Sequence, residues 1–152
     1  MFKKLILLCA LSMPLVGCVA NAPFSGGITT DVLLNDYDKF SEQYKVFTPT
    51  AQDIALMQKL KGKELIVLFG TWCHDSEREV PKLIKLLEES KVKLASISYV
   101  AVGYDKRDAG GIAEANDLQH TPTFIVKQNG KELVRVIEKP MGTLAQDLTQ
   151  GL

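Results

Sequence analysis

The chain has 152 residues, 46% hydrophobic and 24% charged, with 18 Lys+Arg set against 18 Asp+Glu. That is the make-up of one soluble globular domain, and it excludes a multidomain enzyme, a disordered chain, collagen and a coiled coil. Zero formal charge, with no basic run longer than a dipeptide, removes the electrostatic footprint that a phosphate backbone requires, so nucleic acid is not an expected partner.

In chain order, Met1–Lys4 carries two positive charges, Leu5–Met13 is almost wholly apolar, and Pro14-Leu15-Val16-Gly17-Cys18 closes the run with small residues. Residues 1–17 read as a signal peptide. The apolar stretch is shorter than the ~20 residues of a membrane-spanning helix, and Pro14 interrupts it. Leu15-Val16-Gly17-Cys18 resembles the bacterial lipobox. The resemblance implies cleavage before Cys18 and a diacylglycerol on its thiol; ordinary secretory cleavage with Cys18 free is the alternative. Each buried CH₂ of an acyl chain contributes about 0.8 kcal/mol to membrane binding, so the anchor would be stable. Among lipoproteins an Asp after the lipidated cysteine favours retention at the inner membrane; Val19 stands there, which leans towards the outer membrane of a Gram-negative envelope.

Without residues 1–17 the chain holds 16 basic and 18 acidic side chains, a net charge of −2. Cys9 leaves with the signal peptide and Cys18 is capped by lipid, so Cys73 is the single free thiol expected in an oxidising compartment. No intramolecular disulfide is expected.

Val19–Thr30 contains Pro23, Gly26 and Gly27 without periodicity. Residues 18–30 thus read as a lipidated N-terminus and flexible tether with a reach of about 20 Å, and residues 31–152 as the folded domain. Leu33, Tyr37, Phe40 and Tyr44 recur at helical spacing. A second helix is predicted over 50–60, capped by Thr50, with Ile54, Met57 and Leu60 facing inward. Glu64–Phe69 is a continuous apolar run suited to a central strand. A helix from Cys73 to about Glu89 follows, with Val80, Leu83, Ile84 and Leu87 on its inner face. Lys93–Val102 gives a second buried strand and 110–116 a short helix. Thr123–Lys127 and Glu132–Ile137 pair as a hairpin across Asn129-Gly130. Thr143 with Gln146 makes a capping box for a last helix. The order implies an α/β fold, a central mixed sheet with helices on both faces.

Chemistry concentrates in Phe69-Gly70-Thr71-Trp72-Cys73-His74-Asp75-Ser76, where a cysteine meets the turn between a buried strand and a helix N-terminus. Unpaired N–H groups and the helix dipole favour an anion there, and cysteines so placed are more acidic than an ordinary free thiol. An inert buried thiol is the bland alternative. Trp72 reads as an apolar platform for a bound polypeptide or as a core aromatic. His74 and His120 are the only histidines. With Cys73 they would form a cluster for thiolate stabilisation or a soft metal, or else they are two solvated loop histidines, since metal sites need three or four ligands. No metal or other cofactor is called for. Asp75 reads as a cap or a modulator of the thiolate, and Glu77-Arg78-Glu79 as a solvated helix face.

Trp72-Cys73-x-x-Ser76 resembles the thioredoxin active-site motif with its second cysteine replaced by serine. Pro81, eight residues after Cys73, is similar to the proline that kinks the active-site helix of that family. Thr121-Pro122-Thr123-Phe124 resembles its cis-proline segment. The resemblance covers Glu64 to the C-terminus and implies a thioredoxin-like fold of the monothiol kind. It makes Cys73 the nucleophile, with Ser76 and His74 stabilising its thiolate and Thr121-Pro122 presenting backbone to a substrate strand. The family's buried Asp corresponds to Val67, so no carboxylate assists a second thiol, and none is present to be assisted. The activity implied is thiol–disulfide exchange on envelope proteins carrying thiols or disulfides, as a monothiol reductase or isomerase turned over by an external thiol reductant. A non-catalytic docking or chaperone module and a Cys/His metal carrier are the competing classes, since one scaffold hosts all three.

Overall fold

The computed structural model describes residues 22–152. The signal peptide, Cys9 and the lipobox with Cys18 lie outside the described residues.

Thr29 begins the helical part of the chain: its hydroxyl accepts from Val32 N–H and caps α1 (Thr30–Asp36). The single helix expected through Leu33 and Tyr44 is two. Tyr37 is extended (φ −126°, ψ 92°) and separates α1 from α2 (Asp38–Val46). Asn35 and Asp36, whose short polar side chains compete for backbone hydrogen bonds, fall at the break. Leu33 and Phe40 still reach the core, and Tyr37 meets the Phe40 ring edge-on at 6.1 Å. A reciprocal capping box between Thr50 and Asp53 starts α3 (Ala51–Met57), which ends in a 3₁₀ turn over Gln58–Leu60. Met57 and Leu60 are buried there as expected, while Ile54 is half-buried.

Among the described residues five strands make one sheet: β1 (Gly26–Gly27), β2 (Glu64–Phe69), β3 (Ser96–Ala101), β4 (Thr123–Gln128) and β5 (Lys131–Ile137), in the order β1-β3-β2-β4-β5. The apolar run β2 lies at the centre, parallel to β3 and antiparallel to β4. The β4–β5 hairpin turns on Asn129 and Gly130, both at positive φ (51° and 75°), the conformation a two-residue hairpin loop needs.

Two sequence expectations change at the β3 edge. Gly26 and Gly27 pair with Ala101 and Val100, and Ile28 N–H donates to Tyr99 O at 3.0 Å, so residues 26–30 belong to the domain and not to a tether. The strand expected to be buried throughout is exposed over Ser96–Ser98, and β1 pairs only with its other half, at Val100 and Ala101.

The main core joins Leu65, Val67 and Phe69 of β2 with residues of α1, α2, α3, α4 (His74–Ser90) and α6 (Leu144–Leu148). A smaller cluster, with Leu68, Val100 and Ile125, is covered by α5 (Ile112–Ala115) through Ala113. Helices thus occupy both faces, but one face carries a single short helix. α6 begins at the expected capping box of Thr143 and Gln146.

Candidate functional site

The site is built where β2 ends. After Phe69 the chain turns through Gly70, Thr71 and Trp72, and Cys73 takes the N-cap of α4 with extended backbone (φ −96°, ψ 121°). Its N–H donates to Gly70 O at 3.1 Å, and its carbonyl accepts from Glu77 N–H at 2.9 Å. Among the described residues no side-chain hydrogen bond caps this terminus, so its N–H groups and positive dipole end lie beside the half-buried Cys73.

Across from it stands the turn before β4. The Thr121–Pro122 peptide bond is cis, both residues are buried, and the Cys73 thiol donates to Thr121 O at 3.1 Å. The turn is held from two sides: Thr123 Oγ1 donates to His120 O, and Glu138 N–H donates to Pro122 O, each at 2.7 Å. Two chain segments far apart in sequence are thereby fixed at the reactive sulfur.

Trp72 is half-buried. The indole Nε1 donates to Val102 O at 3.1 Å, and one edge lies across Gly70. Its ring packs against the exposed Tyr104 in a tilted arrangement, with centroids 5.0 Å apart and 47° between the ring planes. A Cβ at residue 70 would come within 2.7 Å of the indole, so glycine is what lets the tryptophan lie down there. Sequence reasoning missed Gly70 and Tyr104 as site residues. The glycine between the strand and Trp72 was a legible signal; Tyr104, in an aperiodic loop, gave none.

Ser76 is fully buried, and its Oγ accepts from Gly70 N–H at 3.2 Å. Among the described residues no hydrogen bond joins it to Cys73; it ties the first turn of α4 back to the end of β2. His74 is also turned away, its largely exposed ring reaching Glu77 at 2.9 Å. His120 faces Glu138 at 3.7 Å. Cys73, His74 and His120 thus each have a different neighbour, and no group of three or more metal-ligating side chains gathers among the described residues.

Asp75 does not cap α4 but accepts from Arg78 Nη2 at 2.6 Å. Arg78 also donates to Glu79 at 2.6 Å, and Glu79 before Asp75 holds the guanidinium in its charged form, against a smaller opposing effect of burial. The expectation of a solvated Glu77-Arg78-Glu79 face fails at Glu79, which is 2% exposed. A buried carboxylate needs partners, and Arg78 and Lys82 (3.1 Å) supply them. Glu77 is bridged by Lys39 at 3.2 Å as well as by His74. Val67, where the resembled family carries a carboxylate, is fully buried among apolar residues.

No family model matches the chain, and no curated protein matches it. Among solved structures it is similar to a Pseudomonas aeruginosa protein of unknown function, 12% identical over 76% of this chain and 74% of that one, with a TM-score of 0.57. An HIV epitope-scaffold is 16% identical over 75% and 73% of the two chains, with a TM-score of 0.51. Thioredoxin from Fasciola hepatica is 25% identical over 55% of this chain and 75% of its own, with a TM-score of 0.38. A parallel β3–β2 pair extended by an antiparallel hairpin, with a cysteine at the helix after β2 and a cis-proline before β4, gives this chain an α/β, thioredoxin-like fold.

Proposed function

We propose that this chain is a lipid-anchored envelope protein of thiol–disulfide exchange that works through Cys73 alone. The observation that carries the reading is the thiol at the N-terminus of α4, 3.1 Å from the carbonyl that precedes cis-Pro122. A helix N-terminus stabilises the sulfur anion that attacks disulfides. In the first step the Cys73 thiolate bonds to one sulfur of a substrate disulfide, and the other sulfur leaves as a thiolate. Ser76 has no sulfur with which to attack the mixed disulfide. An external thiol attacks the Cys73 sulfur, so that the substrate leaves as its second thiolate; a second external thiol then attacks the Cys73–thiol disulfide, freeing the Cys73 thiolate as the external thiol's own disulfide forms, and the net outcome is reduction. A thiol of the substrate itself instead attacks the substrate-side sulfur, forming a new substrate disulfide as the Cys73 thiolate leaves, and the net outcome is isomerisation.

Trp72 with Tyr104, and the Thr121-Pro122 backbone, supply the surface on which a substrate strand lies. Anchoring through Cys18 and an outer-membrane location belong to the same proposal and rest on the lipobox resemblance.

Trapping tests this directly. Intact envelopes are quenched with acid, alkylated and resolved without reductant; wild type should give Cys73-dependent adducts that collapse on reduction, and Cys73→Ala none. The turning-away of Ser76 and His74 favours one second reading, a docking module in which Cys73 is incidental. Equal partner capture by wild type and Cys73→Ala, with no exchange by either, would establish that reading in place of the first.

A further inference from the structure

The sheet register places the start of the domain at the same end as the reactive cysteine. Gly26 is paired with Ala101 and Ala101 with Phe69, and Cys73 lies four residues beyond Phe69. Because β1 runs antiparallel to β3, the chain upstream of Gly26 continues past that end of the sheet. Ala22, Pro23 and Ser25 line a hollow of about 550 Å³ together with Gly103, Tyr104 and Arg107, and Ser25 Oγ donates to Arg107 O at 3.1 Å. Tyr104 is the residue whose ring packs against Trp72. One aromatic pair therefore separates the first described residues from the neighbour of Cys73.

The length of chain outside the described residues limits how far this end can stand from an anchor. Cys18 precedes Ala22 by four residues, which span at most about 14 Å when fully extended. The opposite end of the sheet, where Lys61 and Gly62 lead into β2, is farther away by the length of that strand, about 20 Å. Phe24 and Tyr104, 43% and 68% exposed, present aromatic surface at the near end, and such side chains suit the boundary between apolar and wet surroundings.

We infer that the Cys73 end of the domain rests against the surface of the lipid bilayer, so that its substrates are disulfides of membrane-embedded or lipid-anchored proteins close to the headgroups. The inference rests on the proposed anchoring through Cys18.

Trp72 is the sole tryptophan of the chain and serves as the probe. The full-length lipidated protein is reconstituted in phosphatidylcholine vesicles containing a lipid with a nitroxide on its headgroup, and Trp72 fluorescence is followed against quencher content. The control, Trp72→Phe with Lys61→Trp, moves the probe to an exposed position at the far end. Quenching several-fold steeper for Trp72 is expected, and a long Gly/Ser insertion after Val19 should flatten it. Equal or reversed slopes, with the acyl mass present and the protein pelleting with the vesicles, would overturn the orientation and leave the anchoring reading standing. A chain without acyl mass that stays in the supernatant would overturn both. If the control does not fold, Lys61→Cys in a Cys73→Ala background, carrying a fluorophore, gives the far-end slope.

Discussion

The thiol of Cys73 donates to the carbonyl of Thr121 at 3.1 Å, across 48 residues of sequence. A carbonyl only accepts, so this bond belongs to the protonated thiol and is given up when the sulfur ionises or forms a bond to another sulfur. The same carbonyl precedes cis-Pro122, where a substrate strand would lie in the proposed function. Release of the sulfur therefore frees a backbone acceptor at the place where such a strand needs one. The nearby hydroxyl and imidazole do not share this role, since Ser76 is engaged by Gly70 and His74 by Glu77.

Ser76→Cys places a second thiol one helical turn from Cys73. The side chain must rotate away from Gly70 N–H to reach the first sulfur, and an internal disulfide is expected on mild oxidation. Titration should count two free thiols in the reduced domain and none in the oxidised one. Disulfide-reduction turnover should rise above that of wild type, with the gain limited because Val67 offers no carboxylate to deprotonate the new thiol.

Ser76→Ala separates the structural role of this residue from any chemical one. Gly70 N–H loses its acceptor in a buried place, a cost of about 1–3 kcal/mol. Urea denaturation should show that loss, while alkylation of native Cys73 by iodoacetamide should keep the wild-type rate. A large fall in that rate would return Ser76 to the role of thiolate partner.

Gly70→Ala drives a methyl into the indole of Trp72, which its bond to Val102 O and its contact with Tyr104 hold in place. Overpacking of this kind costs about 1–3 kcal/mol. The midpoint of unfolding should fall, and Trp72 emission should shift to the red as the ring is lifted towards water.

Asp53 links two helices, accepting from Thr143 Oγ1 at 2.6 Å and Thr50 Oγ1 at 2.7 Å. Burial pushes its carboxyl up, but the hydrogen bonds from Thr143 and Thr50 together outweigh it and hold the group below the usual carboxylate range. A depressed folded value makes this stabilisation fully present above the unfolded value of about 3.9, and it is lost as pH falls through the lower folded value. Asp53→Asn should therefore cost more stability at pH 7 than at pH 3, measured by urea midpoints. An equal loss at both would exclude the charge as the source.

Cys18→Ser should move the protein from the membrane pellet to the soluble fraction of broken cells. Mass spectrometry of the wild-type N-terminus should find acylated Cys18. An unmodified wild-type terminus at another residue would remove the anchoring proposal.

Where backbone preference alone decides, the sequence was sufficient. The apolar run Glu64–Phe69 is the central strand, Asn129-Gly130 turns the hairpin at positive φ, and hydroxyls at Thr50 and Thr143 cap helices. Cys73 at a helix start follows from the strand-turn-helix pattern around it, whereas the cis form of Pro122 was implied by the resemblance of Thr121-Pro122-Thr123-Phe124 to a family segment. Tertiary structure decided the rest. Gly26 and Gly27 carry no periodic signal and became a strand because the β3 edge offered unpaired groups. Glu79 read as solvated and is buried because α4 turns it inward, where Arg78 and Lys82 neutralise it. Ser76 points to Gly70 because the end of β2 leaves an N–H beneath α4 that needs an acceptor. Capping and turn signals are settled by the backbone within one or two turns, whereas the direction of a polar side chain is settled by whichever unpaired group the packed elements bring across from it.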